Sequence, residues 1–292
     1  MLLKDDGATT YATRDLATIK FRLKKWQPDL FVYEVGAEQS FYFRQLFAAA
    51  ELLGYAPKDH FVHIGHGLIL GKTGKFSTRE GKTIHLEEVL LGAINQARQL
   101  CDQAGISKDL PSGEKDKVAQ TVGIGAVKYN DLKQDPQMDI IFDWRQMLNL
   151  DGNSGPYLQY TYARTQSVLG KLKTQNSKLK TKSQNEKPEK ILDSSCGFDL
   201  CALTFEINSE ELSLLRAIYQ FPEVVLEAAQ NYAPNLICNY LYYLAQKFNL
   251  FYNKRRILES DRQDFRLALT AATCQVLKNG LTLLGIAALE RM

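Results

Sequence analysis

Three consecutive stretches, LFVYEV (30–35), EQSFYFRQLFAAAELLGY (38–55) and HFVHI (60–64), decide the fold. The first and third are short apolar runs rich in Val, Ile and aromatic residues, the composition of buried strands. The middle one carries a helical apolar spacing, with Gly54 just before its end to close it. Strand, helix and strand in so short a span make a βαβ unit, so the two strands should lie parallel. Ligands of such sheets bind beyond the carboxyl ends of the strands. That singles out Gly36-Ala37-Glu38-Gln39 and Gly65-His66-Gly67 as a candidate site.

Upstream, Thr13 is placed to cap a helix whose Leu16, Ile19 and Leu23 share a face, ended at Trp26-Gln27-Pro28. Downstream, a Gly- and Lys-rich loop, GKTGKFSTREGKT (71–83), precedes helices expected over 86–104 and 114–128. A mixed segment, DIIFDWRQMLNL (139–150), leads to Gly152. Beyond Gly155 the pattern is helical throughout. Pro156 suits a first helical turn, and Tyr157, Tyr160, Ala163 and Arg164 fall on one face. Three more helices are expected over 209–232, 235–257 and 261–279, the last closed by Gly280. Before these three, KLKTQNSKLKTKSQNEKPEK (171–190) is polar and lacks aromatics, and reads as a flexible lysine-rich connector. The expected class is an α/β fragment with a parallel sheet, followed by an all-α domain. The boundaries expected are 1–105, a linking region over 106–151, and 152–292.

The chain has 292 residues, enough for two compact domains. Its 45% hydrophobic and 24% charged content is ordinary for a globular protein. No apolar run reaches the roughly 18 residues that a membrane span needs, and the acidic N-terminus does not read as a signal peptide. The expected location is therefore the cytoplasm. Five cysteines, with no Cys-x-x-Cys pair, point to buried thiols rather than a disulfide framework or zinc knuckle.

Several residues invite a chemical reading. Tyr11 and Asp15, four apart, would share a helix face; the carboxylate suits a guanidinium ligand, while the alternative is a helix-start acid favoured by the macrodipole. Gln39, just past the first strand, either orients a polar ligand or is a surface residue of the next helix. The 71–83 loop sets Lys72, Lys75, Arg79 and Lys82 among glycines, suited to polyphosphate or to an exposed hairpin tip. His60, His63 and His66 resemble a metal-ligand spacing. On a strand, however, His63 points away from the other two and no nearby acid completes a set, so no metal site is expected. Tyr157, Tyr160, Tyr162 and Arg164 form one aromatic-basic cluster, and Phe248, Phe251, Tyr252, Arg255 and Arg256 a second. Both fit base stacking with phosphate contacts, or core packing.

Taken together, DDGATTYATRDLA (5–17), VGAEQSFYFRQLFAAAELLGY (35–55), HIGHGLILG (63–71), FSTREGK (76–82), GNSGPYLQYTYAR (152–164) and LKNGLTLLGIAALERM (277–292) resemble the arginyl-tRNA synthetases, class I enzymes, over essentially the whole chain. The resemblance implies the second half of a Rossmann-like class I catalytic domain with a parallel sheet. An all-α helical-bundle anticodon-binding domain would follow it. It implies ATP-dependent activation of arginine, with Mg2+ accompanying ATP, and transfer of arginine to the 3′ end of tRNA(Arg). Arginine would be bound by Tyr11, Asp15 and Gln39, and ATP by His66, Gly67, Leu68 and Ile69. The catalytic KMSKS-type loop would comprise Ser77, Thr78, Arg79 and Lys82, with Phe76 and Glu80 departing from that motif. Tyr157, Tyr160, Arg164, Phe251, Tyr252 and Met292 would contact tRNA. No membrane or DNA partner is implied. His63-Ile64-Gly65-His66 spells the other class I signature, HIGH, but too close to the KMSKS-type loop and in a strand context, so the match is coincidental. The segment with the true signature is expected to be missing, which leaves the chain inactive alone. The alternatives are one subunit of a split enzyme, whose partner chain supplies the N-terminal half, or a non-catalytic tRNA-binding module.

Overall fold

The computed structural model describes residues 3–71, 74–75, 85–103, 105, 111–180 and 206–292, the side chains of 74–75 and 172–180 excepted. The chain forms two compact units: residues 1–83 with 134–142, and residues 84–133 with 143–292.

In the first unit, α1 (Tyr11–Trp26) leads to β1 (Phe31–Gly36), α2 (Ser40–Leu52) and β2 (Phe61–His66). β1 and β2 pair in parallel, in register from Phe31↔Phe61 to Gly36↔His66, as the βαβ reading requires. Leu16 and Ile19 of α1 meet Phe43, Leu46, Phe47 and Ala50 of α2 and Phe31 and Phe61 of the strands in one core. Each of the Leu, Ile and Phe side chains contributes about 1.5–3 kcal/mol on burial. Helix α1 starts one turn earlier than expected. Thr10, in extended geometry, is its N-cap and Thr13 lies inside it. Helix α2 ends in a Schellman motif. Gly54 sits at φ 68°, its N–H bonds Glu51 O at 2.9 Å, and Tyr55 N–H bonds Ala50 O at 3.0 Å.

A second, three-stranded sheet follows. β3 (Ile69–Gly71) pairs antiparallel with β4 (Gly74–Lys75) and parallel with β5 (Ile140–Ile141). The HIGH-spelling residues 63–66 are the last four of β2 and start no helix. Ser77, Thr78, Arg79 and Lys82, expected in the KMSKS-type loop, lie outside the described residues.

The second unit is helical. It comprises α3 (Leu86–Gln103), α4 (Ser112–Leu132), the short α5 (Trp144–Met147), α6 (Gly155–Lys180), α7 (Ser209–Tyr219), α8 (Phe221–Asn231), α9 (Pro234–Lys254) and α10 (Gln263–Leu283). Three expectations shift. The helix expected over 209–232 is two helices, because Pro222 has no N–H to continue the ladder across Gln220. Gly280 does not close α10; Gly285 does, at φ 65°, with Ile286 N–H bonding Leu281 O at 2.8 Å. Gly280 is instead a close-approach residue, where a Cβ would fall 2.4 Å from Leu241 Cδ2. Finally, α6 runs on to Lys180 through the first ten residues of the expected connector, whose Lys, Leu and Gln are good helix formers. Residues 181–190 lie outside the described residues.

The core of this unit gathers Leu158 and Tyr162 of α6, Leu214 of α7, Leu241, Leu244, Phe248 and Phe251 of α9, and Leu277 and Leu281 of α10. Cys101, Cys238 and Cys274 are buried free thiols, and burial pushes Cys238 up to about 12.

Candidate functional site

The first candidate site is built on α1 and α2. Asp15 precedes Leu16 at the edge of the buried face of α1 and is half-buried. Tyr11, one turn earlier, is 81% exposed, so the pair presents a phenol and a carboxylate to the outside. The Tyr42 hydroxyl of α2 donates a short hydrogen bond to Asp15 Oδ2. Among the described residues no donor reaches Oδ1. Burial, followed by the Asp15 hydrogen bond and charge, pushes the Tyr42 phenol well above the ordinary tyrosine range, so it stays protonated and donates. Beneath it, Tyr33 of β1 is also pushed up by burial, against the pull of the Arg22 guanidinium. The result is a half-buried carboxylate held at one oxygen by a phenol, with no donor on the other among the described residues, a geometry that accepts a planar cation.

Gln39 lies in the 3-10 turn Ala37–Gln39 directly after β1 and is exposed. That turn adjoins the end of β2, where a Cβ on Gly65 would fall 3.1 Å from Ala37 Cα. The two strand ends thus converge as the βαβ reading requires. His63 turns back into the sheet, its Nε2 3.0 Å from Val35 O and its ring 4.7 Å from that of Phe43. His66 is exposed, with Nδ1 3.0 Å from Gly67 O.

The segment 134–142 braces the next residues. Gly67 N–H bonds Pro136 O at 2.8 Å, Leu68 N–H bonds Asp139 Oδ1 at 2.7 Å, and Ile140 N–H bonds Leu68 O at 2.8 Å. A Cβ on Gly67 would fall 2.3 Å from the Met138 carbonyl oxygen, so only glycine fits there. The amides of Gly67 and Leu68 are thus committed within the fold. Ile69, half-exposed, offers apolar surface for a flat ligand. Tyr42 and Asp139 were not singled out by sequence, because each stands far along the chain from its partner, 27 residues for Tyr42 and 71 for Asp139.

The second candidate site is on the helical unit. Ser154 Oγ accepts the Tyr157 N–H at 3.2 Å and caps α6, which is why Gly152-Asn153-Ser154-Gly155-Pro156 opens a helix. Two turns on from Tyr157, the Arg164 guanidinium carbon lies 4.8 Å from the centre of the Tyr160 ring and 5.0 Å from that of Tyr252. Cation–π contacts of this kind contribute about 0.5–2 kcal/mol. Asn249 of α9 bonds Arg164 Nη1 at 2.5 Å, Tyr157 Oη at 2.9 Å and Thr161 Oγ1 at 3.0 Å. Tyr160, Arg164, Tyr252, Glu290, Arg291 and Met292 line a groove of about 600 Å³.

The C-terminal residues are tied down: Gln159 Nε2 bonds Ala287 O at 2.9 Å and Lys128 Nζ bonds Gly285 O at 2.6 Å. Leu289 and Met292 pack on the apolar cluster of Ala97, Cys101, Val118 and Val122. Phe251 and Phe248 have no exposed surface; both belong to the core, and Phe251 offers a base nothing to stack on. Beside the groove, Arg255 and Lys254 bond Glu210, and Arg256 pairs with Glu259. Asn249 and Glu290 were not singled out by sequence; Asn249 lies in FNLFYN, where the aromatic residues dominate the reading.

Comparison with known proteins gives matches for both regions of the chain. Residues 1–144 match the family described as tRNA synthetases class I (R), catalytic domain, and residues 158–292 match the DALR anticodon binding domain. An arginine–tRNA ligase of Chloroflexus aggregans is 40% identical over all of this chain and 48% of its own length. One of Fusobacterium nucleatum is 39% identical over 99% of this chain and 47% of its own. The arginyl-tRNA synthetase of Thermus thermophilus superposes with a TM-score of 0.78 at 26% identity, over all of this chain and 50% of that one. That of Plasmodium falciparum shares the fold with a TM-score of 0.75 at 22% identity, over 46% of its chain. The chain spans about half the length of the curated relatives it matches. With a class I catalytic segment and a DALR domain in tandem, the chain belongs to the arginyl-tRNA synthetase family.

Proposed function

We propose that this chain is the C-terminal part of an arginine–tRNA ligase, which activates arginine with ATP and transfers it to the 3′ end of tRNA(Arg). The observation that carries the reading is the half-buried Asp15 carboxylate, held at Oδ2 by Tyr42 and with no donor on Oδ1 among the described residues. An arginine guanidinium would dock on it in the charge-assisted geometry that carboxylates and guanidinium groups favour. Tyr11 would flank it, and Gln39, at the end of β1, would orient the ligand's polar end. ATP would lie over His66 to Ile69, with shape from Gly67 and apolar contact from Ile69. Its Mg2+ enters with the phosphates, and we assign that ion no ligands in this chain. Ser77, Thr78, Arg79 and Lys82 would meet the phosphates.

In the helical unit, Tyr160, Arg164, Tyr252 and Met292 would receive an unpaired base of the anticodon loop by stacking. Tyr157 would support them from behind. Residues 1–105, 106–151 and 152–292 would then serve as catalytic, stem-contact and anticodon-binding regions. The reaction belongs to the cytoplasm, and no helix among the described residues is long and apolar enough to cross a membrane.

Activation would require the N-terminal half of the catalytic domain. The test is ATP–pyrophosphate exchange with arginine and tRNA(Arg), by the chain alone and with a separately produced N-terminal half. Exchange is expected only in the mixture, and Asp15→Ala should abolish it. Robust exchange by the chain alone would refute the need for a second half. The intact groove favours one other reading, a tRNA-binding module without catalysis. It would be the answer if the chain bound tRNA(Arg) yet supported no exchange in any mixture.

A further inference from the structure

The groove of the helical unit is held together by a residue that does not line it. Asn249 sits on α9, behind Arg164. Its Oδ1 accepts from Arg164 Nη1 at 2.5 Å. Its Nδ2 donates to Tyr157 Oη at 2.9 Å and to Thr161 Oγ1 at 3.0 Å. Both amide hydrogens and the carbonyl are therefore engaged, and all three partners lie on α6. Arg164 has five N–H donors. One goes to Asn249 and one, from Nη2, to Tyr160 Oη at 3.2 Å. The guanidinium also lies between two rings, at 4.8 Å and 5.0 Å. A long arginine side chain loses rotamer freedom when it is fixed, and these contacts hold it in one orientation before any ligand arrives. Preorganisation of this kind favours a ligand whose acceptors match the fixed donors over one whose acceptors do not.

We infer that Asn249 is a positioning residue for recognition: it locks Arg164 between Tyr160 and Tyr252, so that the groove discriminates among unpaired bases rather than merely holding them. This rests on the reading of the groove as the anticodon-loop site. Without Asn249 the two rings still stack a base, since stacking tolerates any base. The donor edge of Arg164, however, is no longer aimed.

The test is a ratio of affinities, measured on the full chain by direct titration. One ligand is tRNA(Arg) transcript; the others carry single substitutions in the anticodon loop. Asn249→Ala is expected to shrink the preference for tRNA(Arg) over the most weakly bound variant by about fivefold or more, the scale of one hydrogen bond. Asn249→Asp keeps an acceptor for Arg164, and the Tyr157 hydroxyl can turn to donate to it, while the Thr161 hydroxyl stays on Tyr157 O. It should preserve the ratio to within about twofold, whatever happens to absolute affinity. An unchanged ratio in Asn249→Ala would overturn the proposal, as would an Asp variant that loses discrimination as fully as Ala; a thermal unfolding scan separates either from simple loss of fold. Arg164→Ala is the control on the underlying reading: if it too leaves the ratio unchanged, the groove is not the base site and the reading itself fails.

Discussion

Asp15 and Tyr42 stand 27 residues apart and meet through one hydrogen bond. Because the Tyr42 phenol is raised well above its ordinary range, it remains a donor at any pH at which the protein would work. Replacing it with phenylalanine keeps the ring packed on Phe43 and removes only the hydroxyl. The carboxylate then loses its fixed donor. Hydrogen bonds to charged groups contribute about 1.5–3 kcal/mol, reduced here because the site is half open to water. Tyr42→Phe is therefore expected to raise the KM for arginine by about 5–30-fold in the completed enzyme, with a smaller change in kcat. Pyrophosphate exchange against arginine concentration measures it, and an unchanged KM would show that Asp15 needs no help from Tyr42.

At the scale of elements, α10 crosses α9 at a glycine. A Cβ on Gly280 would fall 2.4 Å and 2.8 Å from the two methyl groups of Leu241, which is fully buried and has nowhere to move. Overpacking of this kind costs about 1–3 kcal/mol, while alanine in a helix recovers up to about 1 kcal/mol over glycine. The clash wins, and Gly280→Ala should lower stability by about 1–2 kcal/mol. On α6, Gly170 is exposed and nothing lies within 4 Å of the position a Cβ would take. There only the propensity remains, so Gly170→Ala should raise stability by up to about 1 kcal/mol. Thermal unfolding of the two variants side by side decides the point: changes of the same sign would contradict the close crossing of α9 and α10.

Across the molecule, the net charge of +3 conceals a local concentration of ion pairs in the helical unit. Glu210 is held down to about 2 by hydrogen bonds from Arg255 and then Lys254. Glu211 is fully buried; burial pushes it up, but bonds from Arg266 and the Asn208 amide, with the Arg262 charge, bring it below the usual carboxylate range. Both folded-state values lie below the ordinary 4.5, so the stability they contribute is fully present above about pH 4.5. It is lost as pH falls through the folded values, toward about 2 for Glu210. Thermal unfolding against pH should show Tm falling over that window. Glu210→Gln should lower Tm at pH 7 and flatten the acid limb; an equally steep limb would remove Glu210 from the account.

The sequence by itself determined the parallel βαβ unit, the helical second unit and the family, because each rests on local periodicity and on motifs contiguous in the chain. It also placed Arg164 one turn from Tyr160. Only the tertiary structure decided which aromatics of FNLFYN are core and which is surface: Phe248 and Phe251 are fully buried, and Tyr252 is 36% exposed. Their spacing fits either role, and the neighbours that bury them come from α6, α7 and α10. The same holds for Asn249 with Arg164, 85 residues apart, and for Asp139 with Leu68, 71 apart. Helix and strand periods encode which face of an element is buried. They carry no information about which distant polar group will stand opposite it, and only the packing of the folded chain chooses that partner.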